Sequence, residues 1–230
     1  MQKVVIKMKS ELTDLVKLSP NNSGKRKYDV TRITPHVVVG EFDALTVAGW
    51  FNSPSRKASA NYIIGKNGEV LLNVDEENRA WTSGSYDNDN RSITIECSSI
   101  KENYNALNDK VYDKLIALCV DICKRYNKKR LTYIKNKTAL NNYTPAVDEM
   151  LLTKHNMFQN VLCPDKWLEN KYETDFVERV NNILTGIIEP ADDNKLYRVQ
   201  VGAFKNKENA IKLCNDLKQK GFNDAFIKEG

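Results

Sequence analysis

Histidine is almost missing from this chain: its 230 residues hold two, His36 in "ITPHVVVG" and His155 in "LTKHNMFQ". There is no apolar run near 18 residues, which excludes an ordinary membrane-spanning helix. The first residues, "MQKVVIKMKSELTDL", lack the apolar centre of a signal peptide. The expectation is a product made in the cytoplasm that reaches any outer target by some other release. An arginine-rich block and an aromatic-basic ladder are also lacking, so the formal net charge of +5 points to solubility or to a polyanionic cell wall rather than to nucleic acid. Cysteines are few, odd in number and scattered (97, 119, 123, 163 and 214), which does not make a secreted disulfide framework.

A hydrophobic share of 41% with 28% charged residues is enough for one good-sized domain and a small second one. "RITPHVVV" (32–39) reads as a strand, and Pro35 argues that it lies at an edge or carries a bulge. "LTVAGWF" (45–51) suits a short helix. "ANYIIGKNGEVLLNV" (60–74) places two apolar runs around Asn67-Gly68, a hairpin signal. Residues 75–91 read as a polar loop. "SITIECS" (92–98) alternates, with Ile93, Ile95 and Cys97 on one face and Thr94 and Glu96 on the other.

"NDKVYDKLIALCVDICKRY" (108–126) is an amphipathic helix whose stripe includes Leu115, Cys119 and Cys123; the two cysteines are therefore read as core. "KRLTYI" (129–134) suits a strand and "DFVERVNNIL" (175–184) a closing helix. The sum is an α/β fold, a central mixed sheet flanked by helices over residues 1–185. A linker is expected at 186–194 and a small β-α-β unit at 195–230.

Two histidines and a thiol followed by proline, Cys163-Pro164, are zinc-ligand types, and three protein ligands with one open position make a catalytic zinc site. The residues alone do not decide, because a lone histidine is usually structural and a buried cysteine usually packs. Several segments agreeing in order say more. "SPNNSGKRKYDVTRITPHVVVG", "PSRKASANYIIGKNGEV", "VDEENRAWTSGS", "NDNRSITIECS", "LCVDICKRYNKKRL" and "LTKHNMFQNVLCPDKWLENKY" together resemble the type 2 N-acetylmuramoyl-L-alanine amidases, whose fold is shared by phage lysins and peptidoglycan recognition proteins.

That resemblance implies zinc held by His36, His155 and Cys163, with Pro164 stiffening the approach of the thiol. It implies Glu96 as catalytic base and Tyr62 as a hydrogen-bonding partner near the scissile carbonyl. Trp81, Asn88, Asn90 and Arg56 fall in loops that resemble the walls of the substrate groove. Many relatives carry a lysine two positions before the third ligand; here that position is Val161. The tail, with "VQVGAF", resembles the start of a SPOR module that binds peptidoglycan, of which one strand-helix-strand unit is present. So small a unit should bury Val199, Val201, Phe204, Leu213, Leu217, Phe222 and Phe226, either on the catalytic domain or in a homodimer. The implied function is zinc-dependent peptidoglycan hydrolysis by a phage endolysin. A host autolysin and a non-catalytic peptidoglycan-binding protein are the alternatives.

Overall fold

The computed structural model describes residues 9–100, 106–187, 201–223 and 225–228, and the chain divides into two compact units, Met1–Ala191 and Asp192–Gly230. In the first unit the strands are β1 (Leu15–Val16), β2 (Asn22–Lys25), β3 (Arg32–Val38), β4 (Tyr62–Ile64), β5 (Val70–Leu72), β6 (Asn78–Ala80), β7 (Ser92–Ser98), β8 (Arg130–Tyr133) and β9 (Glu149–Leu152). The helices are α1 (Ala44–Phe51), α2 (Tyr86–Arg91), α3 (Asp109–Arg125), α4 (Lys137–Asn141), α5 (Asp165–Lys171) and α6 (Val177–Leu184). Short 3₁₀ turns lie at Pro54–Arg56 and His155–Met157, and a π turn, Tyr172–Phe176, joins α5 to α6.

Seven strands form one mixed sheet in the order β1-β5-β4-β7-β3-β9-β8, antiparallel at the β4–β5 pair and parallel elsewhere. β2 and β6 pair separately. The alternation of β7 sets the two faces. Ile93, Ile95 and Cys97 join Ile33, Tyr62 and Ile64 in the core under α3, where Leu115, Cys119 and Cys123 are fully buried. Burial of each such aliphatic side chain contributes roughly 1.5–3 kcal/mol. Asn108 starts α3 by accepting from the Val111 N–H at 2.9 Å, which satisfies one of the open donors of the first turn. The opposite face carries His36 and Glu96, paired in register on β3 and β7, and α1 packs nearby over Ile63 and Leu71.

Three details depart from the sequence reading. β3 is an interior strand, not an edge. Pro35 is tolerated because β9 pairs with β3 at Arg32 and Ile33 alone, so the side on which proline lacks its N–H faces no ladder. The 75–91 stretch holds β6 and α2. Ser85 caps α2 by accepting from the Asn88 N–H, and Asp87 and Asp89 suit the positive end of the helix. The hairpin is closed by residues 65–69 rather than by two: Gly65 N–H donates to the Glu69 carbonyl at 3.0 Å, and Gly68, at φ +85°, makes the inner turn.

In the second unit α7 (Lys207–Gln219) stands where a helix was expected, capped by Asn206. Its described flanks, 201–204 and 225–228, form no strand. The burial expected of the unit is met only in part. Leu213 and Leu217 are half-buried, whereas Val201, Phe204, Phe222 and Phe226 are exposed. Val199 lies outside the described residues.

Candidate metal centre

β3 outruns β9, and the chain uses the gap. After β9 the Thr153 N–H still donates to the Ile33 carbonyl at 3.0 Å; the chain then leaves the sheet and places His155 at the head of a 3₁₀ turn. The loop returns to the open flank of β3. There the Val37 N–H meets the Cys163 sulfur at 3.5 Å, and the Asn156 N–H donates to the Cys163 carbonyl at 3.1 Å. Glu169 anchors the loop through Lys154, at 3.0 Å, and through the Asn156 side chain.

His36, His155 and Cys163 converge, with a ligand atom from each within 4.8 Å of the others. The Cys163 sulfur is 3.5 Å from Nδ1 of His36. Bonds of about 2.3 Å to sulfur and about 2.0–2.1 Å to nitrogen at a tetrahedral ion would hold the same two atoms about 3.6 Å apart. His155 Nε2 sits 3.0 Å from Oε1 of Gln159; with the ring proton on Nε2, this contact would leave the Nδ1 lone pair for a metal. Burial, reinforced by His155, holds His36 well below the usual imidazole range, so it is neutral as a ligand must be. Burial and the nearby Glu96 push the Cys163 thiol up, against the donation from Val37, and a cation would reverse that balance. The donor set fits a divalent metal.

Residues 26–166, more than half of the chain, match the family model described as N-acetylmuramoyl-L-alanine amidase. The chain belongs to that amidase family. Residues 179–229 match the SPOR domain. Among solved structures the chain is similar to PlyL (TM-score 0.52, 17% identity, 72% of this chain and 94% of that one). It is also similar to a mutant endolysin from Bacillus subtilis (0.50, 16%, 73% and 99%). A third likeness is to the Staphylococcus aureus hydrolase AmiA in complex with its ligand (0.52, 11%, 80% and 90%). These identities speak for a shared fold. A comparison with curated proteins finds no significant match.

Within the amidase unit, Glu96 lies beside the cluster, directly across from His36. No hydrogen bond or ion pair holds its carboxylate among the described residues. Burial raises its pKa to about 8, a rise that the charge of Arg56 restrains. Arg56 is exposed at the end of its 3₁₀ turn. The other four expected site residues are placed differently. Tyr62 points to the opposite face of the sheet, in register with Ile95; it is fully buried, and its hydroxyl donates to Glu76 at 2.6 Å while accepting from the Ser10 N–H at 2.8 Å.

Asn88 is also fully buried; it donates to Thr34 at 3.1 Å and accepts from Thr153, tying α2 to β3. Asn90 is buried between the Tyr86 carbonyl and the Lys27 N–H. Both asparagines are buried and hydrogen-bonded to internal partners. Trp81 is half-buried, and its indole N–H donates to Ser23 at 2.6 Å. Val161 is exposed and brings no charge to the loop.

The sequence reading overlooked Gln159 and Gly84. Gln159 follows His155 by one helical turn, a spacing at which a side chain can reach back. Gly84, at φ +67°, lies against the Gln159 amide, and a Cβ there would meet its nitrogen at 1.9 Å. The glycine therefore leaves room for the group that orients a ligand.

Proposed function

We propose that the protein is a zinc-dependent hydrolase of the amide between N-acetylmuramic acid and L-alanine in peptidoglycan, and that it works as a phage endolysin. The observation that carries this reading is the convergence of His36, His155 and Cys163 beside Glu96, an unpaired carboxylate on the adjoining strand. A zinc ion held by the three side chains supplies Lewis acidity for a poor electrophile and lowers the pKa of water to about 7. Glu96 takes the proton of the attacking water and passes it to the departing amine of L-alanine. Burial lifts the Glu96 carboxyl, and a cation held by the three ligands would draw it back toward the ionised form that a base needs. Arg56 offers the positive charge that position 161 lacks and orients the substrate at the mouth of the site.

Likeness to the Bacillus subtilis endolysin supports the lysin role. The SPOR match keeps a host autolysin of the same activity as the second reading, and gene neighbourhood separates the two. The exposed Val201, Phe204, Phe222 and Phe226 favour a homodimer of the second unit, which a monomer by light scattering would discard. The decisive experiment joins zinc analysis to mass analysis of wall digests. One zinc per chain is expected in the wild type and none in Cys163→Ala, together with release of peptides that begin with L-alanine. Equal zinc in both proteins sinks the assignment.

A further inference from the structure

The three ligands of the metal centre are not held alike. His36 lies within β3, in register with β7, and is almost wholly buried. His155 heads a three-residue 3₁₀ turn outside the sheet. Its ring stands 4.8 Å from that of His36, and its Nε2 contact is with Gln159, an exposed side chain. An exposed hydrogen bond competes with water, so its net contribution is small.

What fixes His155 lies on either side of it. Lys154 and Asn156 reach the same oxygen, Oε1 of Glu169: the ammonium at 3.0 Å, and the amide as a hydrogen-bond donor. The ion pair is largely withdrawn from water, with the Lys154 side chain 12% exposed and that of Glu169 24%. Glu169 belongs to α5, which is itself pinned. Leu168 is fully buried in the core, and the Trp167 ring packs edge-on against Tyr112 of α3 at 5.5 Å. α5 starts two residues after Cys163, and the Asn156 N–H donates to the Cys163 carbonyl at 3.1 Å. One short helix thus follows the thiol ligand directly and grips both chain neighbours of the histidine ligand.

We infer that Glu169 is a positioning residue of the metal centre, holding the 154–156 segment so that His155 and Cys163 face His36 before an ion arrives. The inference rests on the zinc amidase reading above. Partners behind the ligands orient them and tune the affinity of the site. Ligands ordered in advance spare the ion the cost of ordering a loop. A surface pair would tie one residue of the loop; this carboxylate ties two, and the ligand stands between them. Without Glu169 the Lys154 ammonium would lose its carboxylate partner while still mostly buried, a state relieved by turning the segment outward. His36, held by β3, would stay in place.

The test uses the full chain, stripped of metal by chelation, as wild type, Glu169→Ala, Glu169→Gln and Glu173→Ala. The last removes an exposed glutamate of the π turn whose partner is Lys135, at 3.2 Å. Zinc affinity is read by competition with a chromophoric chelator, and cobalt(II) in place of zinc reports the ligand field. Glu169→Ala should bind zinc about 10–100-fold more weakly, the usual loss when a partner behind a ligand is removed. Its cobalt spectrum should keep the sulfur-to-metal charge-transfer band of Cys163 while the d–d bands change, because His155 is the ligand disturbed. Glu169→Gln keeps an acceptor for Asn156 and should recover part of the loss. It decides the matter if circular dichroism shows Glu169→Ala to be misfolded, with zinc binding still weaker than in the wild type. Glu173→Ala should match the wild type in both readouts. Unchanged affinity and spectrum in the Glu169 variants, or an equal loss in Glu173→Ala, overturns the inference. So does a lower melting temperature of the metal-free protein with no change in affinity, the mark of a purely structural pair. A wild type that binds neither ion sinks the metal centre and the inference together. Failure of the amidase activity alone looks different: zinc binding depends on Glu169, yet the wild type frees no L-alanine amine from muramoyl peptides.

Discussion

Two carboxylates in one sheet, Glu149 buried and Glu96 half-buried, have opposite surroundings. Glu149 opens β9, ahead of the first residue of β3, and every side of its carboxylate is met. Thr132 and Tyr143 (2.7 Å) give it hydroxyl donors, the Ala146 N–H donates at 3.0 Å, and Arg130 lies at 3.1 Å. Burial alone would raise its pKa, but these donors outweigh burial and hold it at about 2. Glu96 stands further along the strands, opposite His36, without such partners, and burial lifts it to about 8. On the other face Glu76 repeats the first pattern, with Arg125 bidentate at 2.7 Å and hydroxyls from Tyr62 and Tyr126. A carboxylate met by donors on every side holds a fold together, whereas one left without partners is kept where chemistry needs it.

The largest expected effect breaks the comparison at Glu96. Glu96→Gln should lower amidase activity by about 10²–10⁴-fold, the usual contribution of a general base, without loss of bound metal. Thermal stability should not fall, since no partner is left stranded. Full activity in the variant would remove Glu96 from the mechanism. The reverse is expected at Glu76. Glu76→Gln leaves the Arg125 guanidinium with Asp121 as its one remaining carboxylate partner, so the loss should lie below the roughly 3–5 kcal/mol of a fully stranded buried charge. Denaturant titration should show that loss, while the molecules that remain folded keep their kcat.

Glu149 sharpens the contrast through pH. Its folded pKa, about 2, lies below the ordinary glutamate value of about 4.3, so the unfolded chain binds the extra proton between those limits. The stability it contributes is complete above about pH 4.3 and is lost as pH falls toward 2. At about 1.36 kcal/mol per unit the contribution is at most about 3 kcal/mol. Acid unfolding of Glu149→Gln should lack that part of the wild-type pH dependence. Parallel curves for the two proteins would show that the carboxylate is not held as the hydrogen bonds imply.

The legible and the illegible follow the same division. Strand alternation at 92–98 and the stripe of α3 are local patterns, and both appear as read. The meeting of His36, His155 and Cys163 was expected from the order of several segments, because spacing between the two histidines carries no information without a fold to join them. Tyr62, Asn88 and Asn90 entered the expected site by resemblance, and their side chains read the same in sequence whether they face substrate or a buried partner. Only the register, with Tyr62 opposite Ile95 and His36 opposite Glu96, assigns the faces. β6 and α2 escaped because Asp and Asn favour turns and helix starts alike. β9, "EMLL", has no alternation at all, as suits a strand covered on both sides.

The smallest expected effect tests the side of the sheet to which Tyr62 belongs. Replacing it by phenylalanine keeps the ring in the core and removes one hydroxyl. The Ser10 N–H, fully buried, then has no acceptor at that point, and Glu76 loses one of its donors. A stranded buried donor costs about 1–3 kcal/mol. Tyr62→Phe should therefore unfold at lower denaturant by that amount, with kcat and metal content as in the wild type. The double variant with Glu76→Gln separates a shared network from independent losses. Residues in one hydrogen-bond network couple by about 0.5–3 kcal/mol, so the joint loss should fall short of the sum. A Tyr62→Phe protein of unchanged stability but reduced kcat would contradict the register itself, because a side chain on the α3 face can reach the scissile amide only if β4 pairs with β7 one residue away from Tyr62 opposite Ile95.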